Sequence, residues 1–402
     1  MKNIDYFVSY TVVYGNNTNS AGHVYLVFSQ LDTTLRNARA QVTEAIGFYG
    51  HSLRKDQTIK RKIFPAELYG PGHLIQEHLR FIVETEKYSH QHKTWQISES
   101  QKDALLQSIA KDREEKQLPK RNFRDEKVYW DSLTALEKSN TRLSQASLEK
   151  LTHDEYMSIN DYKGPFFNFY RNTCMTDAKK RLNQIGISTK QMDGYIFDIP
   201  GLTSGPLDEM KLEYNNENGN IYWKSPLTLS INENKTSYTR DEEIRIMQLR
   251  AFSILYAFAS KLKDRFHEKN LRLQERGKIL PPLVDAEVSV SQITNKLTEI
   301  ALYPNTIGSG VNLNYQFHLR QTIEGCYDRL NCTNADASIV NLVKAAVDFI
   351  NHFFHYISSW FIENGHFLGA HPLKFSQHAI NTVTEMTQEI QWHQKAVCKI
   401  NS

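Results

Sequence analysis

The chain has 402 residues, of which 40% are hydrophobic and 23% charged, and its formal net charge is +3. Such a composition is ordinary for a folded protein, and the length leaves room for two domains. The small net charge gives no electrostatic reason to expect nucleic acid as a main partner. Four cysteines are too few for a disulfide scaffold, and no Cys-x-x-Cys pair is present to indicate a zinc ribbon.

The first hundred residues have the composition of β-strands. β-Branched and aromatic residues predict strands over residues 4–14, 23–28 and 42–49, with shorter strands at 60–64 and 81–83. The N-terminal segment alternates apolar and polar residues, whereas a signal peptide needs an unbroken apolar core. We therefore expect a soluble protein made in the cytoplasm without a cleavable signal.

Helical signals begin at Ser98, which with Gln101 fits a capping box. The charged and polar residues 111–161 are interpreted as an insertion. A further helix is predicted to follow Cys174 and to end at Gly186.

Beyond residue 237 almost every segment has helical periodicity, beginning with a capping box formed by Thr239 and Glu242. The expected fold is therefore α+β over residues 1–236, followed by an all-α helical domain over residues 237–402. We expect that helical domain to recognise a partner protein or to direct targeting. The most apolar stretch, residues 339–362, contains charged and polar side chains, which predicts no membrane span.

Cys174 and His23 are the candidates for chemistry. Cys174 stands where an extended aromatic segment meets a predicted helix, and the N-terminus of a helix stabilises both a thiolate and an oxyanion. His23 begins an apolar strand after Gly22, which leaves space for another group to approach. Taken alone, each residue has an ordinary alternative, a buried core cysteine and a surface histidine near a turn.

The order of these segments resembles a known superfamily. Gly22-His23-Val24-Tyr25-Leu26 comes first, and Phe169-Tyr170-Arg171-Asn172-Thr173-Cys174 comes later, with Gly47–Gly50 and Trp95–Ser98 between them. Over roughly the first 210 residues this order is similar to that of the circularly permuted papain-like amidases. That group includes permuted NlpC-type peptidases, lecithin:retinol acyltransferase-like enzymes and PPPDE peptidases.

The resemblance implies a circularly permuted papain-like domain with an antiparallel sheet and a helix that carries the nucleophile. It implies Cys174 as nucleophile, His23 as base and Asn172 as the first residue of the pair before the cysteine, with Thr173 replacing the family's second asparagine. We chose His51 as the residue that orients the imidazole, because the strand beside His23 should bring it near.

Other residues and other functions stay open at this point. Asp32 and Glu44 are rivals of His51, and some members of the group use cysteine and histidine alone. No metal site or cofactor is expected, because the histidines between residues 352 and 378 lack acidic or thiol partners at the right spacing.

The favoured function is a cysteine hydrolase, of protease or amidase type, that cleaves an amide or isopeptide bond in a protein or peptide substrate. The alternatives are a thiol acyltransferase or lipid hydrolase on the same scaffold, and a non-catalytic binding protein that retains the fold. The Asn- and Lys-rich composition and the appended helices resemble virulence effectors that intracellular bacteria secrete into host cells without a cleavable signal peptide.

Overall fold

The computed structural model describes residues 3–15, 23–50, 69–77, 79–83, 88–114, 123–132, 134, 166–168, 173–189, 208–232, 234–333 and 335–366. The chain divides into two compact units, residues 1–234 with 294–307, and residues 235–293 with 308–402. The sequence indicates a single boundary near residue 237, with all later residues in the helical domain. The structure instead groups residues 294–307 with the first unit.

The described part of the first unit is built on an antiparallel sheet. Its strands are β1 (Ile4–Gly15), β2 (His23–Asp32), β3 (Gln41–Gly50), β4 (Tyr69–Gln76), β5 (Tyr88–Ile97), β6 (Phe166–Asn168), β7 (Asp208–Glu209), β8 (Leu212–Tyr214) and β9 (Ile221–Trp223). Their spatial order is β6-β4-β3-β2-β1-β5-β7, and β9 pairs with both β3 and β8. The three strands predicted at 4–14, 23–28 and 42–49 are confirmed. Residues 60–64 lie outside the described residues.

Both faces of this sheet are buried. On β1, Val8, Tyr10 and Val12 belong to one apolar cluster, while the alternate residues Ser9 and Thr11 are also fully buried. Successive residues of a strand point to opposite faces, so two layers cover the sheet. Burial on both faces explains why strand β2 is continuously apolar over residues 24–28.

The described helices of the first unit are α1 (Leu79–Val83), α2 (Glu99–Glu114), α3 (Phe123–Ser132) and α4 (Cys174–Gln184). The strand predicted at 81–83 is wrong. Leu79 and Ile82 are both buried and lie three residues apart, which is helical rather than strand spacing. Of the predicted insertion 111–161, the structure describes the end of α2, helix α3 and residue 134.

The second unit is helical in its described residues. Its helices are α5 (Arg240–Glu275), α6 (Pro281–Ala301, whose last eight residues are grouped with the first unit), α7 (Ser309–Asn331) and α8 (Ala337–His366). Helix α7 packs against α5 and α8. The capping box predicted for Thr239 and Glu242 is confirmed, with each residue's backbone N–H donating to the other's side chain. Across the described ranges no helix is long and apolar enough to span a membrane.

The fold is therefore mixed α+β, as the sequence predicted, with an antiparallel sheet in the first unit. Residues 367–402, the end of the predicted helical domain, lie outside the described residues. The capping box at Ser98 is confirmed: the Gln101 N–H donates to Ser98 Oγ at 3.1 Å, and the Ser98 N–H donates to Gln101 Oε1 at 2.9 Å.

Candidate active site

Cys174 is the first residue of helix α4, as the sequence predicted. Thr173 is the N-cap, and its hydroxyl accepts a hydrogen bond from the Thr176 N–H at 3.3 Å. The Thr176 hydroxyl in turn accepts from the Thr173 N–H at 2.6 Å. This reciprocal cap fixes the first turn, whose leading N–H groups have no partner within a helix and point outward from its end. Thr173 therefore caps the N-terminus of the helix that Cys174 begins.

Packing and an ion cluster hold helix α4 in place. Met175, Ala178 and Leu182 are buried in the core against strands β2 and β3. Arg181, only 5% exposed, donates from Nε to Asp177 Oδ2 at 2.8 Å and also binds Asp112 of helix α2. The two carboxylates raise the pKa of Arg181 against the opposing effect of its burial. The position of Cys174 is therefore set by a rigid element rather than by a loop.

His23 is the first residue of strand β2, opposite Val13 of β1. Its Nε2 lies 2.8 Å from Oε1 of Glu77. The His23 side chain is 15% exposed, whereas the Glu77 side chain is 0% exposed. A buried carboxylate is stable only when it is paired and hydrogen-bonded, so this contact accounts for the burial of Glu77.

Glu77 directly follows strand β4 and continues its pairing. The Glu77 N–H donates to the Ala45 carbonyl of β3 at 2.8 Å. Glu77 lies opposite Ala45, and residues opposite each other in a sheet share a face. Gly47 lies two residues further along β3 and is therefore on the same face as Ala45. Because Ala45 and Gly47 carry little or no side chain, β3 leaves space for Glu77 to reach the histidine on β2.

His23 also makes a side-chain hydrogen bond with Cys174. Since Nε2 is engaged by Glu77, the nitrogen that faces the thiol is Nδ1. Burial alone would lower the pKa of His23, but the charge of Glu77 and the interaction with Cys174 outweigh it and raise that pKa from 6.5 to about 10. The raised pKa favours the protonated form of His23 at neutral pH, beside the Glu77 carboxyl group and the Cys174 sulfur.

Tyr25 and His90 form the inner wall of the site. The Tyr25 ring is nearly parallel to that of His23, with a centroid distance of 6.1 Å and an interplanar angle of 15°. Burial and the nearby Glu77 charge both raise the pKa of Tyr25 well above its ordinary value. His90 of strand β5 meets Tyr25 edge-on. Both rings are buried, so His23 has buried aromatic neighbours on this side.

Sequence reasoning identified two members of this constellation and missed the third. Cys174 and His23 come together as expected, while His51 and Asn172 lie outside the described residues. Glu77 was missed because β4 was not predicted: Gly70, Pro71 and Gly72 near its start are residues that normally exclude a strand. A carboxylate just after a strand, opposite small residues of its neighbour, is the signal that could have revealed it.

The rival carboxylate Asp32 is used elsewhere. It accepts hydrogen bonds from the backbone and side chain of Thr34 and pairs with Ile4 at the opposite end of β2 from His23. Within the described ranges, no group of three or more histidine, cysteine, aspartate or glutamate side chains is arranged to hold a metal ion.

Chemically, a thiol, an imidazole and a carboxyl group arranged as in Cys174, His23 and Glu77 can act as a nucleophile, a proton carrier and a group that orients that carrier. The first-turn N–H groups of α4 supply donors for an oxyanion. Cys174 itself is buried, with 8% exposure. Comparisons with protein-family models, with curated proteins and with solved structures find no match to this chain.

Proposed function

We propose that the first unit is a cysteine hydrolase of circularly permuted papain-like type, with Cys174 as nucleophile, His23 as acid–base and Glu77 as the residue that positions His23. The observation that carries the proposal is the imidazole of His23, held between the buried Glu77 carboxylate and the thiol at the start of helix α4. The order of a histidine-bearing strand followed by a cysteine-bearing helix agrees with the resemblance described above.

In the proposed reaction the Cys174 thiolate attacks the carbonyl carbon of an amide or ester. The first-turn N–H groups of α4 stabilise the oxyanion. As the tetrahedral intermediate collapses, His23 Nδ1 gives its proton to the departing amine or alkoxide, and the bond from carbon to that group breaks. A thioester at Cys174 remains, and water releases the acyl group in a second step.

Thiol reactivity tests this proposal before any substrate is known. We expect iodoacetamide at pH 6 to alkylate Cys174 faster than Cys332, an exposed free thiol in the second unit. An imidazolium beside a sulfur favours the reactive thiolate form. Mass spectrometry of the labelled peptides gives both rates in one sample.

Two variants make the test specific. His23→Ala should remove the rapid labelling of Cys174, whereas His267→Ala should leave it unchanged. His267 is a matched control because it also pairs with a glutamate, Glu287, at 2.7 Å, but on the exposed surface of the second unit. Labelling of Cys174 no faster than that of Cys332, and indifferent to His23, would remove the enzyme hypothesis.

A further inference from the structure

We propose that Asn312 and Gln316 of helix α7 bind a water molecule in the interior of the second unit, and that this water bridges their two side chains. The site belongs to the second unit alone. The proposal is therefore independent of the chemistry proposed for Cys174, His23 and Glu77.

Helix α7 buries one side in the second unit. The buried side chains are Asn312, Gln316, Leu319, Ile323, Cys326 and Leu330. Their spacing alternates between four and three residues, which keeps them on one face of a helix. The last four are apolar, since a buried free cysteine behaves as a small hydrophobic residue. The two carboxamides therefore form a polar pair at the N-terminal end of an otherwise apolar face.

Three hydrogen-bonding atoms of this pair lack a partner among the residues that the structure describes. Asn312 is 2% exposed and Gln316 is 0% exposed. The Asn312 side-chain N–H donates to the Gln248 carbonyl of α5 at 3.1 Å, but its Oδ1 accepts no hydrogen bond. Neither Nε2 nor Oε1 of Gln316 is hydrogen-bonded. Exchanging the oxygen and nitrogen of Gln316 gives no improvement, because neither position has a partner.

Such a pair requires a ligand that both donates and accepts hydrogen bonds. Buried polar atoms are almost always paired with protein groups or with ordered water, because an unpaired one bears the full cost of its lost hydration. Asn312 and Gln316 lie four residues apart, so their side chains are neighbours on the helix surface. A water molecule between them accepts from the Gln316 N–H and donates to Asn312 Oδ1, which gives it the polar partners that a buried water needs. A metal cation would suit the two oxygens but not the N–H group.

Asn270 of α5 is a matched buried carboxamide in the same unit. It is 4% exposed, and its side-chain nitrogen donates to the Leu283 carbonyl and to Glu287 Oε2. Protein groups therefore satisfy the Asn270 N–H groups, whereas water is expected to satisfy those of Gln316. The contrast supplies an internal control for the experiment.

NMR of the full chain labelled with nitrogen-15 tests the proposal. The side-chain amide signals of Gln316 are identified by their loss in Gln316→Met, and those of Asn270 by their loss in Asn270→Leu. We expect cross-peaks from water to the Gln316 amide protons with opposite signs in the laboratory-frame and rotating-frame Overhauser spectra. Opposite signs indicate a water that stays bound while the protein tumbles, whereas proton exchange gives equal signs. The Asn270 amide protons should show no such cross-peaks.

A second variant tests the bridge itself. Asn312→Leu removes one of the two partners of the water, so the cross-peaks at Gln316 should weaken several-fold or vanish. Cys326→Ala, further along the same buried face, should leave them unchanged. Cross-peaks that are absent in the natural protein, or that persist undiminished in Asn312→Leu, would overturn the proposal.

A crystal structure of the full chain gives an independent measurement that needs no variant. Water density within about 2.7–3.2 Å of both Asn312 Oδ1 and the Gln316 carboxamide is the expected result. A protein side chain in that place, or a direct hydrogen bond between the two carboxamides, would contradict the proposal.

Discussion

Replacing Glu77 by Gln should shift the protonation of His23 more than any other single change in the first unit. The amide keeps a hydrogen-bonding side chain of the same shape next to Nε2 and removes the negative charge. Glu77 is 0% exposed, so its charge is little screened by solvent. The substitution therefore isolates the electrostatic role of Glu77 from its role in packing.

The magnitude follows from the distance. Two unit charges about 4 Å apart interact by about 4 kcal/mol at an effective dielectric constant of 20. That energy corresponds to a pKa difference of about 3. A contribution of this size is a large part of what raises the pKa of His23 to about 10, and Cys174 supplies the rest against the opposing effect of burial. In the Glu77→Gln variant burial still lowers the pKa of His23 and Cys174 still raises it, so we expect a value well below that of the natural protein.

Nitrogen-15 NMR of histidine-labelled protein measures this directly. The chain has 15 histidines, and a His23→Gln variant assigns the signal that belongs to His23. In the natural protein that signal should remain in the imidazolium form through pH 8, and in Glu77→Gln it should titrate at a clearly lower pH. A His23 that titrates near 6.5 in the natural protein, or equally in both proteins, would refute the electrostatic reasoning about this pair.

Three further changes test the supports of the site by urea unfolding. Arg181→Met leaves the largely buried Asp177 unpaired and should lower the free energy of unfolding by about 3–5 kcal/mol. Lys235→Met breaks an exposed ion pair and should lower it by less than about 1 kcal/mol. Equal losses in the two variants would contradict the difference in burial between the two ion pairs. Thr173→Ala removes the N-cap of α4 and should cost about 1 kcal/mol while lowering the alkylation rate of Cys174, and Thr173→Ser should restore both. Because the pKa of His23 is raised in the folded protein, the natural protein should exceed His23→Gln in unfolding free energy by the full amount below pH 6.5. That difference should decline as the pH rises toward about 10. A difference that grows with pH would show that folding lowers the pKa of His23 instead.

Local patterns in the sequence were sufficient for the elements that carry Cys174 and His23. The first three strands are long, β-branched and apolar, so local preference and burial agree and their existence could be predicted. The helix that begins at Cys174 has Thr173 at its N-cap and ends just before Gly186, whose φ of +81° is one that glycine adopts without strain. Capping signals are read within a few residues, which is why these ends were predictable.

Glu77 and the charge state of His23 were decided only by the tertiary structure. The sequence places 53 residues between His23 and Glu77 and 96 between Glu77 and Cys174, and no local pattern links them. They meet because β4 pairs with β3, β3 pairs with β2, and α4 packs on β2 and β3. The sequence alone does not distinguish a glutamate exposed on the surface from one buried against an imidazole. Pairing between distant strands and the loss of solvent determine that Glu77 is the buried kind.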